Sequence, residues 1–354
     1  MKIAITADLH LTTQKKNPDR FHALQAILER LVQSAVRVLI LAGDTFDESS
    51  RNYAEFERVC QQPEFRHIRL LLIPGNHDHD LDANALAAEN VEVITEGRTE
   101  MFSRDGLPFL LLPYVPAKTM GEEIARHAGG LPTNRWVLVG HGDWTAGMHE
   151  PDPVEPGTYM PLTRVDIEKF KPRLVVLGHI HKPTDSNRVI YPGSPCGLDI
   201  RETGRRRFVL IDADSGDVQL QAVTSDFIYF NEAFVVVPGE HELEYVTGQI
   251  EKCIGNWSLA DSEIDKVRIQ VKFSGYTSNK RALLDTVQQS LQKFHFYKDG
   301  EPDLSEVFVA DDPNRAEIAR RVSERIERMN LAPFHRPPTK AAILLQALHA
   351  IYGE

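Results

Sequence analysis

The chain has 354 residues, 42% hydrophobic and 26% charged, the balance of a folded protein with a sizeable core and length for two or three packed units. Its formal charge of −11 argues against recruitment of nucleic acid by a broadly positive surface, although cations bound in one cleft would reverse the field locally. No apolar run approaches the length of a bilayer, and the N-terminus turns polar at Asp8, too early for a signal peptide, so a cytoplasmic protein with no membrane partner is the expectation. Cys60, Cys196 and Cys253 fit neither a disulfide framework nor a close-spaced metal site and read as free thiols.

In chain order, Lys2 to Ala7 reads as a buried strand ending at Asp8-Leu9-His10. Asp19 to Gln33 follows with Phe21, Leu24, Leu28 and Leu31 at helical spacing. Val36 to Ala42 is a second strand ending at Gly43-Asp44, Tyr53 to Cys60 a second helix, and Ile68 to Ile73 a third strand running into Pro74-Gly75-Asn76-His77-Asp78. That alternation predicts right-handed crossovers and a parallel sheet. Strands are then expected at Val91 to Ile94, Pro108 to Leu112, Arg135 to Val139 and Arg173 to Leu177. Arg207 to Asp212 and Val218 to Val223 read as a hairpin across Asp214-Ser215-Gly216-Asp217. A two-layered or sandwich-like α/β domain over residues 1–225 results.

Beyond it, strands at Ala233 to Val237 and Lys266 to Phe273 and amphipathic helices at Asn279 to Lys293 and Pro313 to Met329 predict a small α/β domain over residues 230–330. Pro333, Pro337 and Pro338 break the chain before a last apolar helix, Lys340 to Ile351, in a third segment, 333–354. That helix either caps the core or docks a partner.

Five strand ends carry metal-competent side chains: Asp8 and His10, Asp44, Asn76 with His77 and Asp78, His141, and His179 with His181. In a parallel α/β layout the carboxyl ends of strands converge on one rim, where ligands bind. Residues two apart, as in Asp8/His10 and His179/His181, point to the same side of an extended chain. A single Gly-Asp or Gly-His after an apolar run is ordinarily a turn; five such endings together point to a metal centre. The mixed oxygen and nitrogen donors suit Mn²⁺, Fe²⁺ or Zn²⁺ better than a calcium cage.

The series Asp8-x-His10, Gly43-Asp44, Gly75-Asn76-His77-Asp78, Gly140-His141 and Gly178-His179-x-His181 resembles the calcineurin-like metallophosphoesterase superfamily over about the first 200 residues. Within it, Ile5-x-Ala7-Asp8-x-His10, Tyr191-Pro192-Gly193-Ser194 and the trailing small domain resemble the prokaryotic double-strand-break-repair exonucleases. The resemblance implies a four-layer β-sandwich flanked by helices, with a smaller α/β capping domain. It implies two divalent ions, with Mn²⁺ the expected choice: one held by Asp8, His10, Asp44 and His181, the other by Asp44, Asn76, His141 and His179, so that Asp44 bridges. His77 would act on the substrate side, stabilising the phosphoryl oxygens or protonating the leaving oxygen, with Asp78 orienting its ring. A homodimer and a coiled-coil ATPase partner of the SMC type are also implied, although this chain is short where the family's docking segment lies.

Four functions remain open on these residues. DNA cleavage comes first, with Lys15 and Lys16 in the loop after His10, and Arg201, Arg205, Arg206 and Arg207, as candidate backbone contacts or else solvated side chains. A small-molecule or nucleotide phosphodiesterase suits the acidic charge. A protein phosphatase lacks the arginine and glutamate expected around Gly75-Asn76-His77-Asp78. A non-catalytic scaffold would be expected to have lost ligands, and none is missing.

Overall fold

Runs such as Val38–Ala42 and Leu174–Gly178 are buried at every position, which requires strands covered on both faces. The computed structural model describes residues 1–48, 51–145, 157–186, 188–331 and 338–353. In chain order the first unit contains β1 (Lys2–Thr6), α1 (Pro18–Gln33), β2 (Val38–Ala42), α2 (Tyr53–Cys60), β3 (Arg69–Ile73), β4 (Val91–Val93), β5 (Arg98–Met101), β6 (Pro108–Leu112) and α3 (Met120–His127). It continues through β7 (Val137–His141), α4 (Arg164–Phe170), β8 (Leu174–Gly178), β9 (Thr184–Ser186), β10 (Val189–Tyr191), β11 (Arg207–Asp212) and β12 (Val218–Ala222).

Two six-stranded sheets form, in the orders β12-β11-β1-β2-β3-β4 and β5-β6-β7-β8-β10-β9. The strands from β1 to β4 pair in parallel, as do β6, β7, β8 and β10. The period-two alternation of each strand decides what packs where. Ile3, Ile5, Val38 and Ile40 meet Phe109, Leu111, Val137 and Val176 between the sheets. The alternate residues Ala4, Leu39, Leu41 and Leu70 face Phe21, Leu24 and Leu28 of α1 and Phe56 and Val59 of α2. Leu110, Leu138 and Val175 likewise take Met120 and Ile124 of α3. The unit is therefore a helix–sheet–sheet–helix stack, the four-layer α/β sandwich expected. The hairpin between β11 and β12 also forms, with Gly216 at φ 76°.

Several local readings differ from the sequence, the helix at Glu242–Asn256 among the elements it did not anticipate. Helices α3 and α4 carry too few apolar residues for a clear period, yet each has a capping box, Thr119 with Glu122 and Thr163 with Asp166, which marks a helix start. Strand β7 starts and ends two residues later than expected, His141 staying in register with Gly178 of β8.

The chain divides into Met1–Leu198 with Arg205–Phe227, and Asp199–Gly204 with Ile228–Glu354. The second unit contains β13 (Ile228–Val236), α5 (Glu242–Asn256), β14 (Val267–Thr277), α6 (Lys280–Leu291), β15 (His295–Phe296), β16 (Asp303–Val309), α7 (Pro313–Glu327) and α8 (Lys340–Tyr352). Its four strands are all parallel around β14. Val246, Ile250, Leu283 and Val287 of α5 and α6 pack with Phe230, Ile269 and Phe273. Leu344 and Leu348 of α8 are buried with Tyr276, Ala319 and Ile326, so the last helix is part of this unit's core. Pro333 and Pro337 lie outside the described residues. Among the described residues no disulfide joins the cysteines, and no helix is long and apolar enough to cross a membrane.

Candidate metal centre

Asp8 follows β1, Asp44 follows β2 and Asn76 to Asp78 follow β3; His141 ends β7, and His179 and His181 follow β8. All stand at the carboxyl ends of parallel strands. The backbone there leaves the extended region. Asp8, His10, Asp44 and His179 have φ of 56°, 45°, 51° and 100°, a left-handed conformation costing about 1–3 kcal/mol per residue that persists only where the surroundings impose it. Asp8 and His10 therefore do reach one cluster, but through left-handed turns and not through the side-alternation of a strand. Two close approaches tighten the packing. A Cβ added at Gly43 would lie 1.9 Å from Nδ1 of His141, and one at Gly75 would lie 2.2 Å from Oδ1 of Asp44.

Donor atoms gather in three overlapping groups, each within 4.8 Å: Asp8, His10 and His181; His10, Asp44 and His77; and Asp44, His141 and His179. Oδ2 of Asp44 lies between the outer two, 3.6 Å from Nε2 of His10 and 3.3 Å from Nε2 of His141. Oδ1 of Asn76 is 2.7 Å from Nε2 of His141 and 3.1 Å from Nδ1 of His179, so Asn76 joins the third group. The middle group brings in His77, whose ring meets that of His10 edge-on at 4.8 Å. Distance alone thus admits His77 as a donor as well as a neighbour.

Outer contacts set the donors' orientation. Nδ1 of His141 lies 3.0 Å from the carbonyl of Ala42, which as an acceptor requires a proton on Nδ1; the lone pair of the neutral ring then sits on Nε2, facing Asp44 and Asn76. The backbone N–H of His77 donates to Oδ1 of Asp44 at 2.9 Å, and that of His179 donates to Oδ1 of Asp8 at 2.8 Å. Arg20 donates to the carbonyl of His10.

The donor set fits two divalent cations. Asp8, His10, Asp44 and His141 are buried, and Oδ2 of Asp8 has no hydrogen-bond partner among the described residues. An isolated buried carboxylate is costly, and a cation removes that cost. Burial pushes the Asp8 carboxyl up to about 6 and the His10 imidazole down to about 3. Burial opposes the charges of Asp44 and His141 too, yet their mutual attraction wins: Asp44 is held far below the ordinary carboxylate range and His141 is raised to about 9. His10 and His181 face each other through their Nε2 atoms at 3.0 Å, two ring nitrogens converging on one space.

Three expected roles change. Asp78 does not orient the ring of His77: its Oδ1 accepts the Gly75 N–H at 2.6 Å and its Oδ2 the Phe46 N–H at 3.1 Å, so it braces the turn carrying Asn76 and His77. Arg206 is 2% exposed and donates to the carbonyl of His181 at 2.8 Å, so it fixes a donor loop and cannot lie along a nucleic-acid backbone. Arg207 is held by Asp185 through bonds of 2.8 and 2.6 Å. Lys15, Lys16 and Arg205 are exposed; Arg201 is exposed but paired with Asp199, and belongs to the second unit.

Two helix-flanked sheets thus collect aspartate, asparagine and histidine at one end, a donor set suited to holding metal ions. The calcineurin-like phosphoesterase family model matches residues 1–183 of the 354, and the chain belongs to that family. The chain is 27% identical over 236 residues to the uncharacterized metallophosphoesterase YhaO of Bacillus subtilis (strain 168), covering 61% of this chain. That match spans 55% of the relative's length, little more than half of it. Among solved structures, TT1561 of Thermus thermophilus is 15% identical, with a TM-score of 0.40, over 63% of this chain and 99% of that one. The purple acid phosphatase PPD1 from yellow lupin is 12% identical, with a TM-score of 0.38, over 63% of this chain and 53% of that one.

Proposed function

We propose that this chain is a DNA phosphodiesterase that cuts with two Mn²⁺ ions, in the manner of the double-strand-break-repair exonucleases. The observation that carries phosphodiester hydrolysis is the placement of Asp44, one carboxylate oxygen within 3.6 Å of a donor from each of two clusters. Asp8, His10, Asp44 and His181 would hold one cation, and Asp44, Asn76, His141 and His179 the other. Bound there, the ions would neutralise the phosphate and lower the pKa of water toward neutrality.

The chain's own groups do the rest. Asp44 is fixed by the His77 N–H on Oδ1, which leaves Oδ2 turned toward His10 and His141. His77 is half-buried, so its ring can meet both the cluster and an incoming ester. An imidazole is suited to hand a proton to a departing oxygen near neutral pH. Asp78, through the Gly75 and Phe46 amides, keeps the turn under His77 from shifting.

DNA as the substrate is supported by the resemblance of the opening strand and of the Tyr191 to Ser194 block, whose Ser194 N–H and neighbour Arg206 both hold the carbonyl of His181. Exposed Lys15 and Lys16, in the loop after His10, would meet phosphates without reading sequence. A coiled-coil ATPase partner and a homodimer belong to the same reading. A small diester is the second reading, favoured by the net charge of −11. The deciding experiment supplies the Mn²⁺-loaded chain with linear, circular and single-stranded DNA beside bis-p-nitrophenyl phosphate. Cleavage of DNA that weakens steeply with salt supports the first reading. Hydrolysis of the small diester with every DNA left intact overturns it in favour of the second.

A further inference from the structure

We propose that Tyr114 and Tyr159 form a stacking shelf for the base of a nucleotide whose phosphate sits at the Asp/His groups; the proposal rests on the phosphodiesterase reading above and names what lies beside the phosphate. Tyr159 lies against His179 with ring centroids 4.7 Å apart, and Tyr114 lies 6.5 Å from the ring of His141. The two tyrosines are 6.2 Å from each other at 47°, and exposed His79 adds an edge at 6.3 Å from Tyr114. Aromatic rings thus run outward from the side of the centre formed by His141, His179 and Asn76. His10 and His181, on the other side, meet other histidine rings at 4.8 Å.

The shelf is built into the backbone. Asp143 N–H donates to the Tyr159 carbonyl at 2.8 Å, and Oδ2 of Asp143 accepts the Tyr159 N–H at 2.7 Å. The other carboxylate oxygen of Asp143 is 3.7 Å from Nε2 of His179. One carboxylate therefore holds the Tyr159 backbone and lies beside a metal-competent imidazole. Gly142 and Gly157 allow this fit: a Cβ at Gly142 would come 2.6 Å from the Tyr159 carbonyl oxygen, and one at Gly157 would come 2.9 Å from the Tyr159 ring. Tyr114 is tied by its N–H to the carbonyl of Pro74, in the turn that carries Asn76. Both tyrosines are half-buried, neither sealed in the core. Ring stacking of this kind tolerates any base, since every base has a π-face.

The test is binding, measured by calorimetry on the Mn²⁺-loaded chain with thymidine 5′-monophosphate and with deoxyribose 5-phosphate, metal content being checked in each variant. The wild-type chain is expected to prefer the nucleotide by about tenfold or more, a typical size for one stacked base. Tyr159→Ala and Tyr114→Ala should each remove most of that preference while leaving the sugar phosphate bound as before. Tyr159→Phe should keep it. No preference in the wild-type chain, a full preference in Tyr159→Ala, or an equal loss for both ligands overturns the shelf. If the wild-type chain hydrolyses bis-p-nitrophenyl phosphate yet shows no preference, only the shelf fails; if it binds neither ligand and hydrolyses nothing, the phosphodiesterase reading fails with it.

Discussion

Oδ2 of Asp44 sits 3.3 Å from Nε2 of His141, and the same oxygen is 3.6 Å from His10, while Oδ1 is occupied by the His77 amide. One side chain is thus common to both donor clusters. Asp44→Ala should lose both cations, whereas His181→Ala should lose or weaken one. Metal analysis after gel filtration decides this: retention of two tightly held ions in Asp44→Ala rules out the bridge.

His77→Ala should keep two ions and lose about 10²–10⁴-fold in kcat, the range for removing one acid–base group. Because His77 also lies in a donor group with His10 and Asp44, the metal content is the discriminating number. Loss of an ion would reassign His77 as a ligand.

Affinity for Mn²⁺ should rise steadily from about pH 5.5 to about pH 8. In the cation-free centre burial raises Asp8 to about 6, and the attraction of Asp44, outweighing burial, raises His141 to about 9. Both must give up protons to donate lone pairs, so protons compete with the metal and win at low pH. Calorimetry in buffers of different ionisation enthalpy should register proton release on binding; a pH-independent affinity contradicts it.

Gly43→Ala should unsettle the centre from behind. Its φ of 93° and the 1.9 Å approach of a new Cβ to the His141 ring leave no relaxed position for the methyl group. The expected result is a lower melting temperature and loss of the ion held by His141 and His179. Melting and metal content equal to wild type would show that the ring can move aside.

Helix α8 predicts a stability effect where the sequence left room for a docking role. Leu348 is fully buried against Tyr276 and Ile326, so Leu348→Ala should destabilise the second unit by about 2–5 kcal/mol. Removing residues 338–354 should do the same while the first unit keeps its metals. An unchanged melting curve would instead favour a helix kept for a partner.

The stacked layers were legible because β1, β2 and β3 are short apolar runs separated by helices with clear spacing, and because each run ends in a metal-competent residue. That pattern also marked Asp44 and His141, which lie far apart in sequence. What periodicity missed was written in other terms: α3 and α4 declare themselves by Thr119 and Thr163 as caps. The part played by Asp143 was hidden because an aspartate after Gly142 looks like any turn residue, and only the fold brings it to His179 and Tyr159 together. Arg206 misled for the opposite reason: a run of three arginines looks solvent-facing until the fold turns the middle one inward onto the carbonyl of His181.

The left-handed backbone at Asp8, His10, Asp44 and His179 also restricts which substitutions a designer can use there. Asparagine tolerates that conformation, so Asn is an admissible replacement at Asp8 or Asp44 that would change donor strength without distorting the turn. Valine, isoleucine and threonine are disfavoured at all four positions whatever their chemistry. Retuning this chain for another cation would therefore have to draw on a narrow set of residues, fixed by main-chain geometry before ligand preference is considered.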